Sequence, residues 1–222
     1  MAANADGKVA VVWLDGRSGK TEIWISVFDN SGKKWGGNSL VYRSPDGTVC
    51  ECCRPSVAVA EDGRIAVMWR NWLDRSRDMY VSESAADGSS FTETKKLGSG
   101  TWKLNGCPMD GGSIAFVKDG EIATAWRREK SSFTAIPGSP ELFISEKSVR
   151  PLIIPTANGS RILSESNGNV MMDKSDGGDP QMVAGNAAFP AAAFIPGKGI
   201  ILVWESNQTG KPGIFADLIE IP

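Results

Sequence analysis

The chain has 222 residues, with 24 Lys and Arg against 26 Asp and Glu and a formal net charge of −2. That balance argues against non-specific nucleic-acid binding, and no apolar run reaches the roughly 18 residues of a membrane span. Histidine is absent, which excludes Ser-His-Asp and Cys-His catalysis and any zinc site built on imidazole. The 25 glycines and 12 prolines, set between short apolar runs, point to an all-β chain rich in turns.

The opening stretch "MAANADGK" has no basic region and no apolar core. No signal peptide is expected, so the chain reads as cytosolic or as a mature or trimmed form. Next comes "DGKVAVVWLD", a turn and an apolar run ending at Trp13, then "EIWISVF" centred on Trp24 and an outer run "NSLVYRS". A second unit repeats the order: "RPSVAVA", "DGRIAVMWRN" with Trp69, "DMYVSES" with Tyr80, and "TETKKLG". The third unit holds "GGSIAFV", "DGEIATAWRR" with Trp126, a long connection "RREKSSFTAIPGSP", and "ELFISEK" with Phe143 as the facing residue. It leaves no room for an outer strand before "RPLIIPT" opens the fourth. That fourth unit has a degenerate central run, "NGSRILSES", with Glu165 where the tryptophan is expected, then "NVMMDKS" with Met171 and a faint outer run "PQMVAG". The fifth reads "FPAAAFI", "GKGIILVWES" with Trp204, and "GIFADLI" with Phe215.

Five copies in 222 residues average about 44 each, the period of a propeller blade. The expectation is one domain over residues 1–222, a β-propeller of about five blades at roughly 1–48, 49–105, 106–148, 149–187 and 188–222. The first innermost strand is nearly missing. A truncated ring, an irregular seam, or a homo-oligomer that completes the incomplete blade are the alternatives. The four aligned tryptophans are read as packing between blades.

Three turns, "SVFDNSGKKW", "SESAADGSSF" and "MDKSDGGDP", resemble Asp boxes, the S-x-D-x-G-x-x-W/F turns of the sialidase-like (neuraminidase, BNR-repeat) propellers. An Asp or Asn side chain caps such a turn and a glycine takes its positive φ. Here Asn30 and Ala86 stand where the family has Asp, and the third copy lacks the aromatic. The resemblance implies an exported, periplasmic or secreted protein. It also implies that the loops entering each innermost strand share one face with the loops joining the second and third strands. That is the face these folds use for ligands.

The cysteines fall on that face. "CECCRP" carries Cys50, Cys52 and Cys53, and "NGCPMD" carries Cys107 and Met109; both segments enter innermost strands of consecutive blades. Three readings stand: disulfides of unspecified pairing, reduced thiols, or a Cu or Zn site using Cys50, Cys52, Cys53, Cys107 and Met109. The same loops supply Arg17, Arg54, Arg70, Arg77, Arg127 and Arg150 as anion-binding candidates, and Trp72 and Trp102 as stacking platforms outside the repeat. Arg54 and Arg150, each before a proline, resemble the family's strand-entry arginine.

Asp15, Asp74, Asp78 and Asp110 are the catalytic candidates, with Glu51 and Glu129 as further carboxylates for a two-acid glycoside hydrolase. A sialidase also needs a tyrosine nucleophile. The two tyrosines, Tyr42 and Tyr80, match no late-blade channel tyrosine. "GRSGKT" is not a phosphate loop, because Leu14 stands where glycine is required and a strand follows. The functional expectation is a sialidase-like propeller that binds an acidic glycan or a protein partner. Exo-sialidase-like hydrolysis and soft-metal binding are the alternatives.

Overall fold

The computed structural model describes residues 1–85, 88–174 and 180–221. The chain forms five antiparallel sheets in sequence order. Sheet one holds β1 (Ala2–Ala3), β2 (Val9–Asp15), β3 (Glu22–Asp29), β4 (Lys34–Trp35) and β5 (Ser39–Tyr42). Sheet two holds β6 (Ser56–Val59), β7 (Ile65–Arg70), β8 (Met79–Ser84) and β9 (Lys95–Lys96). β10 (Ser113–Phe116), β11 (Ile122–Arg128), β12 (Ser131–Ala135) and β13 (Leu142–Glu146) make sheet three. β14 (Ser148–Thr156), β15 (Gly159–Ser166), β16 (Asn169–Lys174) and β17 (Gln181–Ala184) make sheet four. Sheet five has three strands: β18 (Ala187–Ile195), β19 (Gly199–Ser206) and β20 (Gly213–Ile219).

The repeat places aromatics opposite one another. Trp13 faces Trp24, Trp69 faces Tyr80 and Trp204 faces Phe215 across neighbouring strands. Cross-strand partners share a face of the sheet; Trp204 stacks on Phe215 at 6.1 Å, whereas Trp69 packs on Tyr42 at 4.9 Å. Trp69 is fully buried with Ile23, Ile25, Val57 and Ile65, which joins sheets one and two. Trp126 plays the same part with Met68, Met79 and Ile114 between sheets two and three. A buried tryptophan removes about 200 Å² from water, worth about 5 kcal/mol before chain entropy is counted. Ala123, Ala125, Ile153 and Ile162 fill the boundary between sheets three and four, where the side chains are smaller.

Two assignments from the sequence are corrected. The third facing strand is β12, not "ELFISEK": Phe133, not Phe143, lies opposite Trp126. The supposed long loop is a tight turn followed by a strand: Ser131 to Ala135 pair in continuous antiparallel register with Arg128 to Thr124 of β11. "ELFISEK" becomes β13, the outer strand for which no room was expected. In sheet four, Ser164 rather than Glu165 is the counterpart of the tryptophans, since it lies opposite Met171 two residues before the strand ends. The faint run "PQMVAG" does form an outer strand, β17.

The innermost strands pack beside one another in order, with β1 so short that β2 shares its place: β1 and β2 with β6, β6 with β10, β10 with β14, and β14 with β18. The Ile153 amide of β14 donates to the Ser113 hydroxyl of β10 at 3.0 Å. Register then sets the two ends of the molecule. β7 finishes at Arg70 beside the start of β8, and β11 finishes at Arg128 beside the start of β12. The entries to β6, β10 and β14 lie at that same end.

At the other end, the Asp29 carboxylate accepts from the Ser31 amide at 3.0 Å, and Trp35 packs on Phe28 at 5.5 Å. Asn30, at the expected Asp position, instead donates to the Asp6 carbonyl at 2.8 Å. Ala86 and residues 175–179 of the other two turns lie outside the described residues. On sheet five, the face carrying Ala191, Ala193, Ala216 and Leu218 is exposed. Among the described residues no helix is long and apolar enough to cross a membrane.

Candidate functional site

The cysteine segments meet where the entries to β6 and β10 converge. Cys50 is bonded to Cys53 and Cys52 to Cys107, with Cα separations of 5.5 and 6.5 Å. Cys50 and Cys53 are buried; Cys52 and Cys107 are exposed. Neighbouring Met109, at φ 49°, points out to solvent, 79% exposed. Gly111 lies against the Arg54 carbonyl oxygen.

Arg70 ties three loops together from beneath. Its guanidinium donates to the carbonyls of Asp110 (3.0 Å), Arg77 (2.6 Å) and Arg127 (2.9 Å). It is 1% exposed, and burial brings its pKa down to about 10, against the pull of Asp110. Arg127 lies 2.7 Å from the Asp110 carboxylate and also donates to the Pro108 carbonyl at 3.0 Å. Trp102 is buried with Arg70 and Arg127 near its ring, at 5.2 and 5.3 Å. These residues form a foundation under the surface and do not present themselves to a ligand.

The acids at this end sit against cations. Asp15 accepts from Arg17 and from the Trp13 indole, and these hydrogen bonds hold its carboxyl far below the usual range. Asp78 accepts from the Trp102 amide at 2.8 Å and pairs with Lys96 at 3.0 Å. Burial raises the Asp110 carboxyl, partly offset by Arg127 and Arg70 and by the amide of Arg150. The Arg150 side chain turns to Glu165 at 2.6 Å and stacks over Phe189 at 4.3 Å. Glu51 accepts from Thr48 at 3.2 Å. Glu129 occupies a turn at φ 57°.

Two features face outward. Arg54 is exposed and makes no ion pair among the described residues. A cleft of about 690 Å³ is lined by Trp72, Asp74, Arg75, Lys103, Leu104 and Asn105. Arg77 lies 3.6 Å over the Trp72 ring and braces it. Asp74 and Arg75, at φ 49° and 57°, form the tight turn at its rim, and Lys103 donates to the Asp74 carbonyl at 2.6 Å.

Lys103 and Glu165 were not among the sequence candidates. Glu165 had a usable signal. With Ser164 aligned to the tryptophans, it occupies the same repeat position as Arg70 and Arg127. Lys103 gave none, because an isolated lysine in a loop has no pattern. Neither tyrosine is poised as a nucleophile: burial raises the pKa of Tyr42 and of Tyr80.

No protein-family model matches the chain, and no curated protein matches it by sequence. Solved structures do match in fold. A Hadza microbial sialidase aligns with TM-score 0.61 at 16% identity, over 98% of this chain and 55% of its own. The polysaccharide lyase Uly1 aligns with TM-score 0.60 at 13% identity, over 98% and 57%. A lectin from Aleuria aurantia, solved with α-methyl-L-fucoside, aligns with TM-score 0.55 at 11% identity, over 96% and 77%. The likeness is one of fold, and it is propeller-like. The chain spans a little over half the length of the sialidase and the lyase.

Proposed function

We propose that the five sheets are successive blades of a sialidase-like propeller within a single domain, and that the chain binds an acidic glycan at the end carrying the cysteine loops. The observation that carries this reading is the Trp72 cleft. It offers an aromatic face held flat by Arg77 beside Arg75 and Lys103, with exposed Arg54 at the same end of the sheets. A sugar stacks its apolar face on such a ring, and guanidinium and ammonium groups take a carboxylate. The sialidase, lyase and lectin likenesses support a glycan-related role at the level of fold.

Binding is favoured over hydrolysis by the state of the acids. A two-carboxylate mechanism needs a free base and a poised acid. Asp15, Asp78 and Asp110 each have a cation on the carboxylate, and the Trp72 cleft itself is lined by one carboxylate, Asp74, rather than a pair. Calorimetry with a sialylated trisaccharide, a uronate oligosaccharide and their neutral counterparts tests the reading. The acidic ligands are expected to bind and the neutral ones to bind at least 10-fold more weakly. Equal affinity for both, or no heat with either acidic glycan, rejects it.

A further inference from the structure

The cysteines are arranged more tightly than two staples require. One sulfur from each of Cys50, Cys52, Cys53 and Cys107 lies within 4.8 Å of every other, and Cys50 Sγ is 3.9 Å from Cys52 Sγ. Four thiolates around a tetrahedral ion, with metal–sulfur bonds of about 2.3 Å, sit about 3.8 Å apart. We propose that these four cysteines are a redox-gated tetrathiolate site for one thiophilic d¹⁰ metal ion, closed while both disulfides are in place and open once they are reduced.

The loops are held independently of the sulfur–sulfur bonds. The Cys50 amide donates to the Arg70 carbonyl at 3.0 Å, and Val49 forms a bridge with Asn71. The Cys53 amide closes a turn onto the Cys50 carbonyl at 3.3 Å. On the other side, Arg127 holds the Pro108 carbonyl and Arg70 holds that of Asp110. Reduction therefore frees four sulfurs without freeing the segments that carry them. The Met109 amide donates to Cys107 Sγ at 3.3 Å, a contact that favours a sulfur carrying negative charge. Access is also provided for, since Cys52 and Cys107 face solvent while Cys50 and Cys53 form the floor.

The chemistry balances with a dithiol reductant. Each disulfide accepts two electrons and two protons and becomes two thiols, while the donor dithiol becomes a disulfide. Binding Zn(II) then releases the four thiol protons and leaves a Zn(SR)₄ centre of net charge −2. Arg70, whose guanidinium donates to the Asp110 carbonyl, places a positive charge beneath the second loop. The four-sulfur donor set selects soft ions, Zn(II) or Cu(I), over Ca(II) or Mg(II).

The full-length chain is reduced anaerobically with excess dithiol, desalted, and mixed with Zn(II), Cu(I) or Co(II). Native mass spectrometry should show one Zn(II) per reduced chain and none per oxidised chain. Co(II) should give the visible bands of a tetrahedral thiolate site. A chromogenic chelator should take Zn(II) from Cys52→Ser/Cys107→Ser at least 100-fold more readily than from the reduced wild type, and circular dichroism should be unchanged. Equal chelator competition in the two proteins, octahedral Co(II) spectra, or loss of fold on reduction each overturns the proposal. Binding of Cu(I) but not Zn(II) supports it and assigns the ion as Cu(I).

Discussion

Arg70 Nε donates to the Asp110 carbonyl across 3.0 Å and forty residues of sequence, and this bond fixes the second cysteine loop to the second sheet. The same guanidinium serves two further carbonyls, so its removal strands three acceptors in a buried place. Arg70→Met is expected to lower unfolding stability by at least about 3 kcal/mol. Arg70→Lys should recover less than half of that, because one ammonium cannot span three loops. Urea unfolding midpoints at neutral pH measure both; a midpoint unchanged in Arg70→Met refutes the clamp.

Asp173 supplies a pH dependence. It is 3% exposed, lies opposite Ile162 in sheet four, and burial pushes its pKa up to about 6 from 3.8. A raised carboxyl stabilises the fold when protonated. Its contribution is complete below pH 3.8 and is lost as pH rises to about 6. That interval corresponds to on the order of 3 kcal/mol. Asp173→Asn should be the more stable protein at pH 7 and should lack this slope between pH 4 and 6. Thermal melts of both proteins across that window are the measurement, and parallel curves would contradict the assignment.

The two loop tryptophans should separate binding from stability. Trp72 borders the cleft, whereas Trp102 is 8% exposed over two arginines. Trp72→Ala should weaken acidic-glycan binding about 10-fold or more, in line with loss of a stacking platform, and leave the melting temperature within a few degrees. Trp102→Ala should cost about 3–5 kcal/mol of stability. Reversed outcomes would move the site away from the cleft.

Glu165 restrains Arg150 through the 2.6 Å ion pair and also accepts the Phe189 amide at 2.8 Å. Glu165→Gln keeps an acceptor for the amide but removes the charge that holds the guanidinium. Affinity for a sialylated or uronate ligand should rise several-fold if Arg150 borders the site. Titration calorimetry decides, and an unchanged constant places Arg150 outside it.

The all-β class, most strands and the common end of the cysteine loops were legible because they follow from periodicity and spacing. Trp13, Trp69 and Trp204 fixed the register of three sheets through their partners eleven residues on. That rule failed at Phe143, since the seven-residue step from Trp126 to Phe133 was hidden by a longer apolar stretch beyond it. Ser164 was missed for the opposite reason: a small residue in the tryptophan's place leaves no hydrophobic mark, and the charged neighbour drew the alignment by one. At the candidate site, the spacing of the segments told which loops share an end but not the direction of each side chain. Arg70 and Arg127 read as surface cations, yet both reach inward to backbone carbonyls, which no local pattern encodes.

Gly111 shows how fine the tolerance is at this end. A methyl group there would collide with the Arg54 carbonyl oxygen. The absence of one side chain therefore sets the spacing of two sulfur-bearing segments, and with it the reach between Cys52 and Cys107. Adding a single carbon at Gly111 would act as a wedge, prying apart partners that Arg70 and Arg127 hold from below.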